Sequence, residues 1–266
     1  MILLLGGTSE TAGLAAALQD LGLPVLVSTA TDAPLALPAG TRRRCGRLDA
    51  QGLAALLVRE GLRAVVDGSH PFATELHAAA RAAATAAGLP LFRFERPDLR
   101  PEGPHVRTCA DHAGAAALAC ALAVALDPPG GRPVLLSTGS RHLAPYVREA
   151  RRTGLALYAR VLDAPESLAA CEAAGLPASR ILALRGPFDL ATQREHLRRT
   201  GAGVLVAKAS GLAGGLDIKA EAARLEGVLL VLVARPEAAG GWSDPHSLAA
   251  AVAERIAPAG PGSGRP

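Results

Sequence analysis

MILLLGGTSE, residues 1–10, opens with the four-residue apolar run Ile2–Leu5, which two glycines cut off at once. Leu14, Leu18 and Leu21 then recur at helical spacing, so a buried strand, a glycine turn and a helix are expected in that order. A secretory signal would need a basic flank, a longer apolar core and a small-residue cleavage site, and none is present. Strand, glycine turn and helix together aim backbone N–H groups and the positive end of a helix at one point, which suits a phosphate. The spacing is not G-x-G-x-x-G, because the next glycine after Gly6 and Gly7 is Gly13. Taken alone, the turn reads equally well as a plain βα connection.

The same rhythm continues along the chain. Strand-like runs fall near Ile2–Leu5, Pro24–Ser28, Arg63–Val66 and Pro90–Phe94, then near Val134–Ser137, Leu155–Val161, Ile181–Leu184, Val204–Ala207 and Val228–Ala234. Ala/Leu-rich helical runs separate them, which predicts an α/β fold with parallel sheets. The stretch ERPDLRPEGPHV (95–106) concentrates proline and charge and marks a boundary. The expected organisation is an N-terminal dinucleotide-binding domain over 1–95, a second domain over 105–245, and a disordered tail over 258–266. A last helix near 247–256 is expected to return to the first domain, with the ligand cleft between the two.

Composition narrows the class. With 266 residues the chain can bury a full core, and no apolar run approaches the length of a membrane span, which predicts a soluble cytoplasmic protein. Cys45, Cys109, Cys120 and Cys171 are scattered, and the seven histidines are dispersed, so neither disulfides nor a metal site is expected. A net charge of +4 with only 3% aromatic residues argues against a nucleic-acid partner. Of 28 basic residues only Lys208 and Lys219 are lysine, and both fall in KASGLAGGLDIK (208–219). Where arginine has replaced lysine almost everywhere, two surviving ammonium groups in one segment suggest a local need for them.

In open parallel sheets ligands bind beyond the carboxyl ends of the strands. Small, polar or glycine-containing stretches follow the apolar runs at DGSHPFA (67–73), STGSR (137–141), RGPF (185–188) and KASGLAGG (208–215). Any one of them is ordinary loop chemistry; together with Gly6-Gly7 they point to a shared ligand site. Tyr146 and Tyr158 lack a lysine four residues on, which excludes the catalytic pair of short-chain dehydrogenases. A non-enzymatic nucleotide-binding regulator would use the N-terminal half alone and leave the loops of the second half without a role.

The ordered set LLLGGTSE, CGRLD, DGSHPFA, RFERP, STGSR, ARVL, RGPF, KASGLAGG, the lysine of DIKAEAA and the final ARP resembles the precorrin-6A reductase family, from Ile2 to about Pro236. Ala209, Leu99 and Gln193 depart from that family's pattern, the first standing where an Asp is usual. The resemblance implies two Rossmann-like domains, a reduced nicotinamide cofactor, and reduction of one macrocycle double bond of precorrin-6A, or its cobalt form, to precorrin-6B in cobalamin synthesis. It implies a tetrapyrrole as the partner, and at most transient contact with neighbouring pathway enzymes.

Candidate residues follow. For the cofactor these are Gly6, Gly7, Thr8, Ser9, Glu10, Ser28, Thr29, Asp67, Gly68, Ser69 and His70. An acidic residue near the end of the second strand marks NAD-specific sites, but VSTAT (27–31) fills that place here. With Arg42, Arg43, Arg44 and Arg47 nearby, NADPH is expected over NADH, although those arginines also read as a solvated loop. A substrate bearing acetate and propionate arms needs cations and backbone donors around an apolar floor. Candidates are Arg93, Arg96, Thr138, Gly139, Ser140, Arg141, Gly186, Pro187, Phe188, Lys208, Ser210, Gly211, Gly214, Gly215, Lys219 and Arg235. His70 and Lys208 are the candidate proton sources; for His70 a loop-fixing role competes.

Overall fold

Residues 1–95, 101–126, 130–211, 214–236 and 240–257 are described by the computed structural model. Arg96 and the tail at 258–266 lie outside them. The chain forms two compact units, Met1–Pro97 with Pro236–Pro266, and Asp98–Arg235.

The first unit contains β1 (Ile2–Leu5), α1 (Thr11–Asp20), β2 (Val25–Thr29), β3 (Arg42–Cys45), α2 (Ala50–Arg59), β4 (Ala64–Asp67), α3 (Thr74–Ala86) and β5 (Leu91–Arg93), and is completed by α9 (Pro245–Ile256). Its strands are all parallel in the order β3-β2-β1-β4-β5, that of a Rossmann sheet. Because strand side chains alternate, Ile2 and Leu4 pack with Leu14, Leu18, Leu248 and Val252 on one face. Leu3 and Leu5 pack with Leu53, Leu57 and Ala84 on the other. Helices cover both faces, which explains why β1 is continuously apolar.

Two features escaped the sequence reading. β3 has the sequence RRRC and no apolar alternation, yet Arg42–Cys45 pair in register with Leu26–Thr29 at the sheet edge. Arg43 folds back to donate to Thr29 Oγ1 and to the carbonyls of Thr31 and Ala33, which replaces burial as the reason to order there. The second unit also ends earlier than the 245 expected. Trp242 belongs to the first unit: its N–H donates to Arg93 O at 3.0 Å, its carbonyl accepts from Glu95 N at 2.7 Å, and its ring lies 5.3 Å from Phe92.

The second unit runs β6 (Val106–Cys109), α4 (His112–Val124), β7 (Val134–Leu136), α5 (Ala144–Thr153), β8 (Leu157–Val161), α6 (Pro165–Ala173), β9 (Ile181–Ala183), α7 (Leu190–Thr200), β10 (Val204–Lys208), α8 (Leu216–Leu225) and β11 (Leu229–Val233). These strands are parallel as well, in the order β6-β11-β10-β7-β8-β9. In each sheet the direction of strand addition reverses once, between β1 and β4 in the first and between β7 and β10 in the second. Loops beyond the carboxyl ends diverge there and leave room for a ligand. Among the described residues, no helix is long and apolar enough to cross a membrane, no group of side chains could hold a metal, and all four cysteines are free.

Candidate active site

At the first reversal point the loops after β1 and β4 are tied together. Gly68 N donates to Leu5 O at 3.0 Å and Thr8 Oγ1 to Gly68 O at 3.1 Å. Gly6 must be glycine for packing, since a Cβ there would lie 2.5 Å from Thr11 Cγ2. Gly7 must be glycine for its backbone, at φ +100°, and presents a bare exposed surface. The expectation that the N–H groups of this turn face a phosphate needs correction. Gly7 N and Thr8 N both donate to Thr11 Oγ1 at 3.0 Å, so they stiffen the loop. The anion-favouring element that remains is the start of α1, where Glu10 occupies the cap position without a side-chain cap.

Ser28 and Thr29, at the end of β2, are buried and committed to β3. Thr29 accepts from Arg43, while Ser28 Oγ accepts from Arg44 Nη1 at 2.8 Å. Thr29 is therefore structural, and Arg44, half-buried on its edge strand, is the group held at this position.

Asp67, at the end of β4, is 2% exposed and spends both carboxylate oxygens on neighbouring residues. Its Oδ1 accepts from Ser69 Oγ at 2.6 Å and from Ser69 N at 3.1 Å. Its Oδ2 accepts from His77 Nδ1 at 2.7 Å and Arg93 Nη1 at 3.2 Å. Arg93 Nη2 lies 2.9 Å from His77 Nε2. A guanidinium only donates, so Nε2 accepts and the imidazole is the neutral Nδ1–H tautomer. Burial pushes the Asp67 pKa up, but the hydrogen bonds from His77 and Ser69 outweigh it and the net shift is downward. Arg93, a substrate candidate from sequence, pairs with Asp67 at 3.2 Å and Glu95 at 3.5 Å and remains partly exposed. His77 was not singled out from sequence. It sits one helical turn inside an alanine-rich run, and only the fold brings it against Asp67. His70 fixes its own loop, accepting from Phe72 N at 3.2 Å.

In the second unit, Ser137 N donates to Val206 O at 2.8 Å, which sets the ends of β7 and β10 side by side. The hydroxyls of Ser137 and Thr138 are buried there without a hydrogen-bond partner among the described residues. Burial and then the neighbouring Arg141 lower the pKa of Lys208. His112, whose charge Lys208 also opposes, stacks on His142 at 4.2 Å and meets Tyr146 OH at 2.9 Å. Burial first, then His142 and Lys208, lower the His112 pKa to about 4, so this imidazole is neutral near pH 7. Arg235 Nε donates to Ala209 O at 2.7 Å and braces the loop after β10, while Ser210 is buried within that loop.

Gly139, Gly186, Pro187, Phe188, Gly214, Gly215 and Lys219, all expected from sequence, do come together, around a cavity of about 420 Å³. Ser140 and the exposed Arg141 follow Gly139, and Gly211 O accepts from Gly214 N at 3.0 Å. Arg160, near the end of β8, joins them unforeseen. Its Nη1 donates to Gln193 Oε1 at 2.7 Å and to His196 Nδ1 at 3.0 Å, and its guanidinium carbon lies 4.7 Å from the Phe188 ring centre. Lys219 Nζ donates to Gly214 O at 2.6 Å.

A family model described as Precorrin-6x reductase CbiJ/CobK matches residues 1–255. The chain is 32% identical to the cobalt-precorrin-6A reductase of Priestia megaterium, over 89% of its length and 91% of the relative's. It is 35% identical to the precorrin-6A reductase of Rhodobacter capsulatus, over 88% of each. Among solved structures, a CobK precorrin-6A reductase superposes with a TM-score of 0.74 at 29% identity, covering 95% of this chain and 96% of that one.

Proposed function

The chain belongs to the precorrin-6x reductase family, and from that premise we propose that it reduces one double bond of precorrin-6A, or of its cobalt-containing form, with NADPH. What carries the reading is the family match over 1–255, laid on two parallel sheets whose reversal-point loops hold LLLGGTSE, DGSHPFA, STGSR and KASGLAGG. The first unit fits a dinucleotide: Gly7 offers a surface without a side chain, and the start of α1 lies beside it. When bound, the reduced nicotinamide supplies the hydride. The residues of the chain hold both partners, exclude water and provide the matching proton. Lys208 is the proton donor in this scheme, since burial makes its ammonium more acidic and His70 is committed to Phe72. One hydride and one proton add across the bond, and the oxidised cofactor leaves. Oxidation of NADPH on incubation with precorrin-6A, and separately with the cobalt form, tests the reaction. Absence of turnover with both ends it.

The preference for NADPH rests on Arg44. Register places it opposite Ser28, where an NAD-specific site sets a carboxylate, and Ser28 Oγ holds its guanidinium. Arg44→Gln is expected to lower kcat/KM for NADPH by roughly tenfold to a hundredfold and to leave NADH nearly unaffected. Steady-state kinetics with both cofactors decide it, and an equal loss for both removes Arg44 from the 2′-phosphate.

Lys219 gives the macrocycle step a pH signature. Burial, and after it Arg160, lower its pKa to about 8, with Asp217 pulling weakly the other way. The ammonium is present below that value and is lost as pH rises through it. The KM for the macrocycle is therefore expected to be flat below pH about 8 and to climb above it. Lys219→Arg should keep it flat, because guanidinium stays charged. A climb that persists in this variant assigns the titration elsewhere.

A further inference from the structure

Resting on that reading, we propose that the Arg160–Lys219 cavity is a carboxylate pocket that takes one acidic side arm of the macrocycle, Arg160 being the residue that selects a charged arm. Several cations of this protein are compensated by carboxylates, and these two are not. Arg93 meets Asp67 and Glu95, Arg194 and Arg198 meet Glu226, and Arg42 meets Glu60. Arg160 is 7% exposed, yet Gln193, His196 and Phe188, which touch it, are neutral. His196 accepts through Nδ1, so it carries no second charge on that side, and burial followed by Arg160 lowers its pKa. Lys219 likewise meets a neutral carbonyl.

No Asp or Glu lines the cavity among the described residues, and Asp217 is exposed at the start of α8. A buried guanidinium and a half-buried ammonium facing one space without an anion are costly, and a carboxylate entering that space relieves both. Donors remain for it. Arg160 Nε and Nη2 make no hydrogen bond to the described residues, Lys219 has further ammonium protons, and the buried Ser137 hydroxyl at the cavity wall has no partner among them. A guanidinium fork suits a carboxylate, and the Phe188 ring shields it from water. At about 420 Å³ the space is near the lower end for ligand pockets, which suits one arm and the ring edge behind it. The retention of lysine at 219 in an arginine-dominated chain fits a compact charge in this confined place.

The test is titration of the full chain with uroporphyrin, an octacarboxylate macrocycle, followed by its fluorescence. Arg160→Gln is expected to weaken binding roughly tenfold to a hundredfold, Lys219→Met by a similar factor, and Arg160→Lys less than Arg160→Gln. Circular dichroism melting verifies that each variant folds. If Arg160→Gln does not fold, the wild-type protein still decides. Acetic anhydride labelling of Lys219, with the α-amino group of Met1 as internal reference, should slow when uroporphyrin is present. Equal affinity across these proteins, no binding by the wild type, or unprotected labelling of Lys219 overturns the pocket. Arg160-dependent binding without NADPH oxidation on precorrin-6A or its cobalt form upholds the pocket and sinks the assigned reaction. Turnover that is indifferent to Arg160→Gln does the reverse.

Discussion

Asp67→Ala is expected to destabilise the first unit by about 3–5 kcal/mol, because it removes the buried carboxylate that the Arg93 guanidinium, His77 and Ser69 share. Asp67 accepts hydrogen bonds from Arg93, His77 and Ser69 at once, and so joins the three into one network. Without it, Arg93 keeps His77 Nε2 and, as its one carboxylate among the described residues, Glu95 at 3.5 Å, while His77 Nδ1 loses its acceptor. Trp242 is the single tryptophan, and it packs on Phe92 beside Arg93, so its fluorescence reports this unit during urea unfolding. Asp67→Asn with Arg93→Met removes both charges and should recover much of the loss, as replaced buried ion pairs commonly do. A change in stability below about 1 kcal/mol for Asp67→Ala would mean the network is incidental. The same network is acid-sensitive. The folded pKa of Asp67 is depressed, so its contribution is complete above the unfolded carboxylate value and is lost as pH falls through the folded one.

The contrast between what was legible in the sequence and what was not follows from where the information resides. β1, β2, β4 and β10 are buried on both faces, and continuous apolar runs announce such strands. β3 and β6 are edge strands whose sequences, RRRC and VRTC, lack that signal, because each pairs with the sheet on one side only. The loops at the carboxyl ends were found because glycine, serine and lysine stand out against an alanine- and arginine-rich background. His77 and Arg160 were missed for the opposite reason. Each is one polar residue inside a regular element, and its importance comes from a neighbour distant in sequence: Asp67 in one case, Gln193 and Lys219 in the other. Arg93 and Asp67 were noticed as unusual residues, but their identities could not say that they would satisfy each other.

Gly7→Val is expected to raise the Kd for NADPH on the order of a hundredfold while the macrocycle site keeps its affinity. At φ +100° a β-branched residue is strained, which costs roughly 1–3 kcal/mol of stability by itself. No protein atom lies within 4 Å of the position a Cβ would take, so the new side chain extends into the space beside the start of α1. That is where a pyrophosphate would have to approach. Loss of one or two charge-assisted hydrogen bonds, at about 1.5–3 kcal/mol each, accounts for the size of the effect. Gly7→Ala, with its shorter side chain, should give a smaller rise, and Trp242 fluorescence should show both variants folded before ligand is added. Thr11→Val supplies the complementary case. It frees Gly7 N and Thr8 N from the hydroxyl that now accepts them, leaving a looser loop that must be ordered when the cofactor binds. Its Kd should rise less than that of Gly7→Val. Equal cofactor affinity in the wild type and in Gly7→Val would move the dinucleotide away from this turn.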